Sequence, residues 1–224
     1  MPNSTRHNRE QALVAATRAL FDERGFQDVP VEEIAKAVGI ARGLIYRTFA
    51  SKDELFALTV TDYLHELAEL LETAAASETS SRGRLELVTE AFAGYGRRYP
   101  AFLDSSLALM HRPARELQEI VSDSVWLRLG QGMASCLGVV ADVLREGTER
   151  GDFAVDDPDY TANLLWTQAL GLLHLARIGV GVRRVAPGVP GLFAIESDDV
   201  VRSCVAHALA IVGTAPQARQ DSSA

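Results

Sequence analysis

Residues Val31–Phe49, with the sequence VEEIAKAVGIARGLIYRTF, constrain the fold of this chain more than any other part of it. Val31, Ile34 and Val38 recur at helical spacing, so the first half predicts an amphipathic helix with one apolar face. Gly39 follows directly, and a glycine there can adopt the left-handed conformation that ends a helix. The apolar pattern then resumes, which predicts a second short helix over about 41–49. Two short helices around a tight turn form a helix-turn-helix.

The outward side of the second helix carries residues suited to reading DNA. Ile45 and Phe49 lie four residues apart and can dock on the first helix. The remaining residues have no apparent core to enter, and arginine can donate two hydrogen bonds to a guanine edge in the major groove. The residues that we therefore expect to contact DNA are Arg42, Gly43, Leu44, Tyr46, Arg47 and Thr48.

The neighbouring residues extend this pattern in both directions. A preceding helix with an alanine-rich apolar face ends in Leu20-Phe21 and is followed by Gly25-Phe26. The pattern continues with Ile34, Ala35, Gly39, Ile40, Arg42, Gly43, Ile45, Tyr46, Phe49, Ser51 and Lys52. These residues, between about Leu13 and Leu58, resemble the DNA-binding domain of the tetracycline-repressor (TetR) family of bacterial regulators.

The resemblance implies both a fold and a function. The fold would be all-α, with an N-terminal three-helix helix-turn-helix domain joined to a larger helical domain for ligand binding and dimerisation. The function would be that of a ligand-responsive repressor, which binds a palindromic DNA operator as a homodimer and is released by a small, largely apolar molecule. The C-terminal part carries no motif, so the resemblance there concerns only the helical layout.

Four positions depart from the family pattern. Val29 and Pro30 stand where the family usually has hydroxyl residues, and Ala41 and Leu44 replace a common serine and threonine. Van der Waals contact, for example with a thymine methyl, would then replace polar contacts. Val29, Pro30 and Leu44 keep an alternative open, namely an all-α small-molecule-binding or enzymatic protein with a degenerate DNA-reading domain.

Ser51 and Glu54 have the spacing of a capping box, which predicts that a connecting helix runs from 51 to about 76. Lys52 stands at its N-terminus, where backbone N–H groups and the helix dipole favour an anion, so we expect it to contact a DNA phosphate. Near the start of the chain, Arg6 and Arg9 could contact phosphates or lie free in solvent.

Charge is divided unequally along the chain. Residues 1–52 contain eight basic and six acidic residues, net +2, whereas the remainder contains fourteen basic and twenty-four acidic residues, net −10. A weakly basic DNA-reading part on an acidic body fits a protein whose larger part stays off DNA. Cys136 and Cys204 lie far apart, and we recognise no signal peptide, so we expect two reduced thiols in a cytoplasmic protein.

Helical patterns account for the rest of the chain, over roughly 84–99, 101–110, 114–150, 158–178 and 198–213. Three glycines in the third of these predict a break before Asp123, and Asp157-Pro158 supplies a helix start. We expect a DNA-binding domain over residues 1–52, a regulatory and dimerisation domain over 53–216, and a disordered tail over 217–224.

The segment 163–182 is apolar nearly all round. A membrane span would bury Gln168, His174 and Arg177 at considerable cost, so we expect no membrane association. A helix buried on one side by its own domain and on the other by a second copy explains the pattern better. With the last helix, it predicts a dimer interface at Leu165, Ala169, Leu172, Ala176, Val201, Val205, Ala208 and Leu209. Residues 179–194, rich in Gly, Pro and Val, are expected to form a loop.

Catalytic and metal-binding motifs are not recognised in the sequence. His65-Glu66 lacks the second histidine of H-E-x-x-H, and Gly179-x-Gly181 lacks the third glycine of a dinucleotide-binding loop. A G-x-S-x-G nucleophile motif is also missing. We therefore predict a protein that is not an enzyme and holds no cofactor or metal.

Candidate ligand-binding residues come from the helices between 95 and 174, where few polar groups lie among many apolar ones, as is typical of small-molecule cavities. They are Tyr95, Tyr99, Met110, His111, Trp126, Met133, Trp166, Gln168 and His174. Aromatic and methionine residues at helical spacing are also common in ordinary cores, and a lone histidine such as His111 often makes a helix-end hydrogen bond. Both interpretations stay open.

Overall fold

A computed structural model describes residues 2–26, 29–111 and 113–213. The chain is 77% helical, with ten helices in the described part. The elements are α1 (Pro2–Arg24), α2 (Val31–Val38), α3 (Arg42–Thr48), α4 (Lys52–Ala76), α5 (Ser81–Arg98), α6 (Pro100–Met110), α7 (Ala114–Ile120), α8 (Asp123–Glu149), α9 (Pro158–Ile178), β1 (Val180–Ala186), β2 (Val189–Ala194) and α10 (Ser197–Val212). The all-α class expected from the sequence is confirmed, and the two short strands are a minor addition.

The helices form two compact units. The first consists of residues 1–69 and 95–136, and the second of residues 70–94 and 137–224. The predicted DNA-binding domain, residues 1–52, belongs wholly to the first unit, which also includes the first part of α4. The predicted tail, residues 217–224, lies outside the described residues.

In the first unit, α1, α2 and α3 pack around a small apolar core. Phe21 of α1, Ile34 of α2 and Ile45 of α3 are each at most 1% exposed. Phe49, directly after α3, is also buried, as the sequence predicts. Burying one such side chain stabilises a fold by about 1.5–3 kcal/mol, so this core fixes the orientation of α3.

The turn between α2 and α3 depends on Gly39. Its backbone has φ 70 and ψ 34, a left-handed conformation that residues with a Cβ rarely adopt. The backbone N–H of Ile40 donates a 2.9 Å hydrogen bond to the carbonyl of Ala35, which closes α2 in the manner of a Schellman motif. Gly39 therefore sets the direction in which the chain enters α3.

Predicted helix boundaries are confirmed at three places. The backbone N–H of Glu54 donates to the Ser51 hydroxyl at 3.0 Å, as expected of a capping box. The Asp157 carboxylate accepts from the backbone N–H of Tyr160 at 2.9 Å and caps α9. The span 114–150 breaks before Asp123 into α7 and α8.

In the second unit, α9 and α10 pack along each other. Leu170 of α9 and Cys204 and Val212 of α10 are each at most 3% exposed. The backbone N–H of Ala154 donates to the carbonyl of Val212 at 2.9 Å, which attaches the end of α10 to the segment before α9. One side of each helix is therefore already occupied within a single chain.

Residues 180–194 form an antiparallel β-hairpin, so the prediction of a loop is wrong for this segment. Ala186 pairs with Val189 around Pro187-Gly188, and Gly188 has a φ of 76. Proline followed by glycine at positive φ favours a tight turn, and valine favours strands. The glycine and proline content concealed the strand pattern.

One helix among the described residues, α8, matches a membrane span by length and composition, with a mean hydropathy of 1.2 over 18 residues. Core helices of water-soluble proteins meet the same criterion. Along α8, Val125, Cys136 and Val143 are buried whereas Gln131 and Asp142 are exposed. This one-sided pattern is typical of a helix that covers a protein core.

Candidate DNA interface, cavity and dimer surface

The outward side of α3 exposes most of the residues predicted to contact DNA. Tyr46 is 45% exposed, and the side chain of Arg42 is 59% exposed. Gly43 and Arg47 are exposed as well, and Leu44 is half-buried. The major groove of DNA is wide enough to admit an α-helix, so this side of α3 can reach base edges.

Arg42 is held in place by two neighbours. Its Nη1 lies 2.6 Å from Oε1 of Glu32 on α2, and its guanidinium carbon lies 5.7 Å from the centre of the Tyr46 ring. A hydrogen bond with Tyr46 and the negative charge of Glu32 raise the pKa of Arg42. Exposed ion pairs contribute little to stability, so Arg42 can leave Glu32 and bind a base or a phosphate at little energetic cost.

Gly43 leaves part of the α3 surface flat. Its φ is not positive, and a Cβ at this position would meet no atom of the described residues beyond its own helix turn within 4 Å. The fold therefore does not itself require a glycine here. A backbone without a side chain allows close approach of another molecule, which suits a surface that meets DNA.

The structure removes Thr48 from the predicted set of DNA-contacting residues. It is 8% exposed, and its hydroxyl donates a 2.9 Å hydrogen bond to the carbonyl of Leu44. Threonine in a helix commonly makes such a bond to the residue four positions earlier. Thr48 thus belongs to the core of the helix-turn-helix and has no access to a groove.

Lys52, predicted to contact a phosphate, is the first residue of α4. Its Nζ lies 4.6 Å from the centre of the Phe56 ring. Phe56 in turn contacts Phe21 and Phe26, with ring centres 4.9 and 5.6 Å away. This aromatic cluster holds the amine at the start of α4, directly after the helix-turn-helix, where the helix dipole also favours an anion.

The family model for bacterial regulatory proteins of the tetR family matches residues 13–59, from α1 to the first turns of α4. The chain belongs to the TetR family.

Two relatives match the N-terminal part of this TetR-family chain. The HTH-type transcriptional activator FasR of Mycolicibacterium smegmatis is 32% identical over 84 residues, which are 38% of this chain and 38% of FasR. The nucleoid occlusion factor SlmA of Haemophilus ducreyi is 27% identical over 97 residues, which are 43% of this chain and 48% of SlmA. The matches therefore span less than half the length of either relative.

A solved structure extends the similarity to nearly the whole chain. The ketosteroid transcriptional regulator KstR2 of Mycobacterium tuberculosis has a TM-score of 0.59 and 21% sequence identity, over 92% of this chain and 95% of that one. At this level of identity the likeness concerns the fold alone, and it includes the C-terminal helices.

Tyr95 and Tyr99, predicted to bind a ligand, instead belong to a polar cluster around Arg18 in the first unit. Arg18 of α1 donates to Asp62 at 2.7 Å and also to Glu66, both on α4. The hydroxyl of Tyr99 donates to Glu66 at 3.2 Å, and that of Tyr95 lies 3.4 Å from Arg18. Burial opposes the charge of Arg18, but the bonds to Asp62 and Glu66 outweigh it and raise its pKa. Tyr95 and Tyr99 are therefore structural partners of an ion cluster and not ligand-binding residues as predicted.

Glu54 connects the start of α4 with the loop between α7 and α8. Its carboxylate is 5% exposed and accepts from the backbone N–H groups of Ala50 at 2.6 Å and Ser122 at 3.0 Å. The Ser51 hydroxyl donates to the carbonyl of Ile120 at 3.1 Å. Burial opposes the charge of Glu54, but hydrogen bonds from Ser122 and Ala50 prevail and lower its pKa.

The second unit contains a small cavity of about 40 Å³ that is partly open to solvent. Trp166 and Gln168 are the two predicted ligand residues that line it, and the Trp166 ring contacts Phe92 with centres 4.8 Å apart. Burial raises the pKa of the Cys204 thiol, on the same wall, to about 11. The lining residues are Leu71, Val88, Thr89, Phe92, Val140, Ala162, Leu165, Trp166, Gln168, Ala169, Leu172, Cys204 and Ala208. Most of these residues are apolar, as is typical of the lining of small-molecule sites.

The other predicted ligand residues lie away from this cavity. His174 is exposed on α9, and His111 and Met110 are exposed at the end of α6. Trp126 and Met133 are half-buried in the first unit. Nδ1 of His111 lies 2.7 Å from the carbonyl of Leu107, which is a helix-end interaction. Within the described ranges, no group of three or more His, Cys, Asp or Glu residues could hold a metal ion.

The residues predicted for the dimer interface face largely inward. Leu165, Ala169 and Ala208 are at most 9% exposed and, with Leu172, line the cavity. Four others are half-buried, namely Ala176, Val201, Val205 and Leu209. Since α9 is apolar nearly all round, its sequence does not indicate which side is covered by its own chain.

The exposed side of α9 carries a stripe of apolar residues, next to the predicted interface residues of the same helix. Tyr160 is 67% exposed, Leu164 43%, Leu175 36% and Ile178 53%. The four recur at spacings close to whole helical turns, so they lie along one side of the helix. We name these four residues the α9 stripe.

Proposed function

We propose that this protein is a DNA-binding transcriptional regulator, specifically a repressor that binds a palindromic operator as a homodimer. The observation that supports this most is the exposed side of α3, where Arg42, Tyr46 and Arg47 project from a TetR-family helix-turn-helix. Two such helices, one from each subunit, would enter successive major grooves about 34–36 Å apart. Residues 1–52 carry a net charge of +2 whereas the remainder carries −10, so DNA is attracted to this end of the chain.

The proposed homodimer uses the α9 stripe in place of the residues expected from the sequence. Leu164, Leu175 and Ile178 are large apolar side chains that a monomer leaves in water. Burying them against a second copy removes apolar area from solvent, at roughly 25 cal/mol per Å². A two-fold axis would bring the same stripe from both chains together.

The proposed effector is a small, largely apolar molecule bound in the cavity of the second unit. The lining is apolar except for a few groups such as Thr89, Gln168 and the Cys204 thiol. The structural neighbour KstR2 is a ketosteroid regulator, and ketosteroids are molecules of this chemical class. To release DNA, the effector must favour the state with the wrong spacing of recognition helices, by roughly 1–3 kcal/mol of coupling.

The alternative of an enzyme with a degenerate DNA-reading domain has less support. FasR and KstR2 are named as regulators, and SlmA as a nucleoid occlusion factor. We place the protein in the cytoplasm, where its operator would lie and where the free thiols Cys136 and Cys204 stay reduced.

Protection mapping of the DNA that flanks the protein's own gene tests the proposal. We expect one protected site with two half-sites a helical turn or its multiple apart. Transcription in vitro from that DNA should fall when the protein is added, and a rise would overturn the repressor assignment. A thermal-shift screen of hydrophobic compounds, followed by DNA titration with each hit, tests the effector. A compound that stabilises the protein and leaves DNA affinity unchanged is not an effector.

A further inference from the structure

The β-hairpin of residues 180–194 lies largely free of the helices in its unit. Among the described residues, neither strand makes extensive contact with any element other than its partner strand. Fifteen large hydrophobic side chains are exposed in the described part of the chain, and ten of them belong to α9 (four) or to the hairpin (six). A concentration of exposed apolar side chains marks an interaction site, because isolated ones are normal but contiguous patches are not.

The two sides of the hairpin differ in whether their apolar side chains contact the hairpin itself. On one side, the ring of Phe193 covers Gly181 and a methyl of Val185 covers Gly191, so closely that a Cβ on either glycine would collide. These two side chains therefore contact their own hairpin, and Phe193 is 40% and Val185 64% exposed.

The opposite side has no such cover. Val182 and Leu192 are cross-strand partners there, and they are 71% and 68% exposed. The next pair on the same side, two residues along each strand, is Val180 with Ala194, which are exposed too. We name these four residues the Val182 face.

The base of the hairpin is fixed by backbone contacts, but its Val182 face is exposed. The backbone N–H of Ile195 donates to the carbonyl of Gly179 at 2.9 Å, and Gly179 has a φ of 72. These features fix where the hairpin leaves α9 and returns to α10. A two-stranded hairpin alone is at best marginally stable in water, so packing of the Val182 face against another surface would stabilise it.

We propose that the Val182 face docks on a second copy of this chain and enlarges the dimer surface formed by the α9 stripe. This inference rests on the proposed homodimer. Ile178, the last residue of the α9 stripe, is separated from β1 only by Gly179, so the two apolar surfaces follow each other along the chain. In a two-fold dimer, each subunit gives one hairpin and receives one.

Charge and area favour a second copy as the occupant. Arg183 and Arg184 are the only charged residues in segment 180–194, whereas the chain carries a net charge of −8, so another copy offers an acidic surface. Stable interfaces bury about 800 Å² per partner. The middle of the exposed side of α9 holds Thr167 and Gly171, which have little apolar area. The hairpin would supply the additional apolar area that such an interface needs.

Sedimentation of the full chain at a series of concentrations tests the proposal. Val182→Glu and Leu192→Glu should each raise the dimer dissociation constant by roughly tenfold or more, since each places a charge in a buried apolar contact. Val185→Glu, the matched control on the other side of the same hairpin, should change it less than about twofold. A further variant replaces residues 181–193 with Asn-Gly, which joins Val180 to Ala194, already paired in the hairpin. It should weaken the dimer at least as much, with unchanged helical circular dichroism.

The outcomes separate the two proposals. If the unaltered chain is a monomer at all concentrations, the homodimer and the hairpin contact are both wrong. If it is a dimer whose dissociation constant is unaffected by Val182→Glu, Leu192→Glu and the Asn-Gly replacement, the hairpin contact is wrong and the homodimer stands. Loss of binding to anionic lipid vesicles in these variants, with the dimer intact, would assign the face to a membrane and overturn the proposal.

Discussion

The carboxylate of Glu54, in the first turn of α4, accepts a 3.0 Å hydrogen bond from the backbone N–H of Ser122, directly before α8. The same carboxylate accepts from Ala50, just after the recognition helix. One buried side chain therefore joins the end of the helix-turn-helix to the start of α8.

Loss of the Glu54 charge should destabilise the protein at neutral pH and leave it less sensitive to acid. The pKa of Glu54 is lowered in the folded chain, so its stabilising contribution is present above the unfolded value of about 4.3 and is lost as pH falls through the folded value. Glu54→Gln should cost roughly 1–3 kcal/mol of unfolding free energy near pH 7. Below about pH 4, the difference from the unaltered chain should shrink.

Denaturant unfolding at pH 7 and pH 3 measures both effects. Glu72→Gln, at an exposed position on the same helix, is the control and should change stability little. A difference for Glu54→Gln that is the same at both pH values would contradict the assigned role.

Arg47 and Lys52 should differ in how they contribute to DNA binding. If Arg47 reads a guanine, Arg47→Ala should cost roughly 1–3 kcal/mol and relax preference at one base pair. Lys52→Ala should weaken all sequences alike and reduce the slope of affinity against salt by about one unit. Gel-shift titrations at several salt concentrations measure both, with Arg202→Ala on α10 as control. Unchanged binding in both variants would mean that α3 is not the recognition helix.

Cys204 should report whether a ligand occupies the cavity. Burial raises the pKa of its thiol to about 11, so little thiolate exists at neutral pH. In a Cys136→Ala background, we expect the rate of thiol labelling to rise about tenfold per pH unit between pH 7 and 9. A ligand in the cavity should slow that labelling, because Cys204 forms part of the wall. A compound that stabilises the protein without slowing it binds elsewhere.

A charge in the α9 stripe should dissociate the proposed dimer. Leu164 is 43% exposed in the single chain, so Leu164→Arg should leave the monomer folded but bury an unpaired charge in the dimer. Light scattering should detect monomers, and DNA affinity should fall in parallel. Leu127→Arg, the same change at a leucine that is 60% exposed on α8, is the control. If Leu164→Arg remains dimeric, the stripe is not the interface.

The parts of the fold that the sequence predicted are those determined by short-range pattern. The turn at Gly39, the capping box at Ser51 and the N-cap at Asp157 depend on residues within a few positions of each other, and all three were predicted. The burial of Thr48 was not, because a threonine on a short helix can face either way until the packing is known.

Long-range contacts were the part that the sequence could not supply. Arg18 meets Asp62 at a separation of 44 residues, and the only signal was the acidic pair Asp62 and Glu66, four apart on one helix. Because Tyr95 and Tyr99 take part in this cluster, they do not belong to the predicted ligand site. On α9, an apolar surface all round gave no basis for choosing between Leu164 and Leu165 as the outward residue.

The hairpin has two open edges, since β1 and β2 pair only with each other among the described residues. Open edges can template further strands and so begin fibril growth. Three features oppose this here: Pro190 has no N–H to donate, the ladder is irregular between Arg184 and Ala186, and Arg183 and Arg184 repel an identical strand. Substitutions that removed them would therefore show first as insoluble protein, before any change in DNA binding.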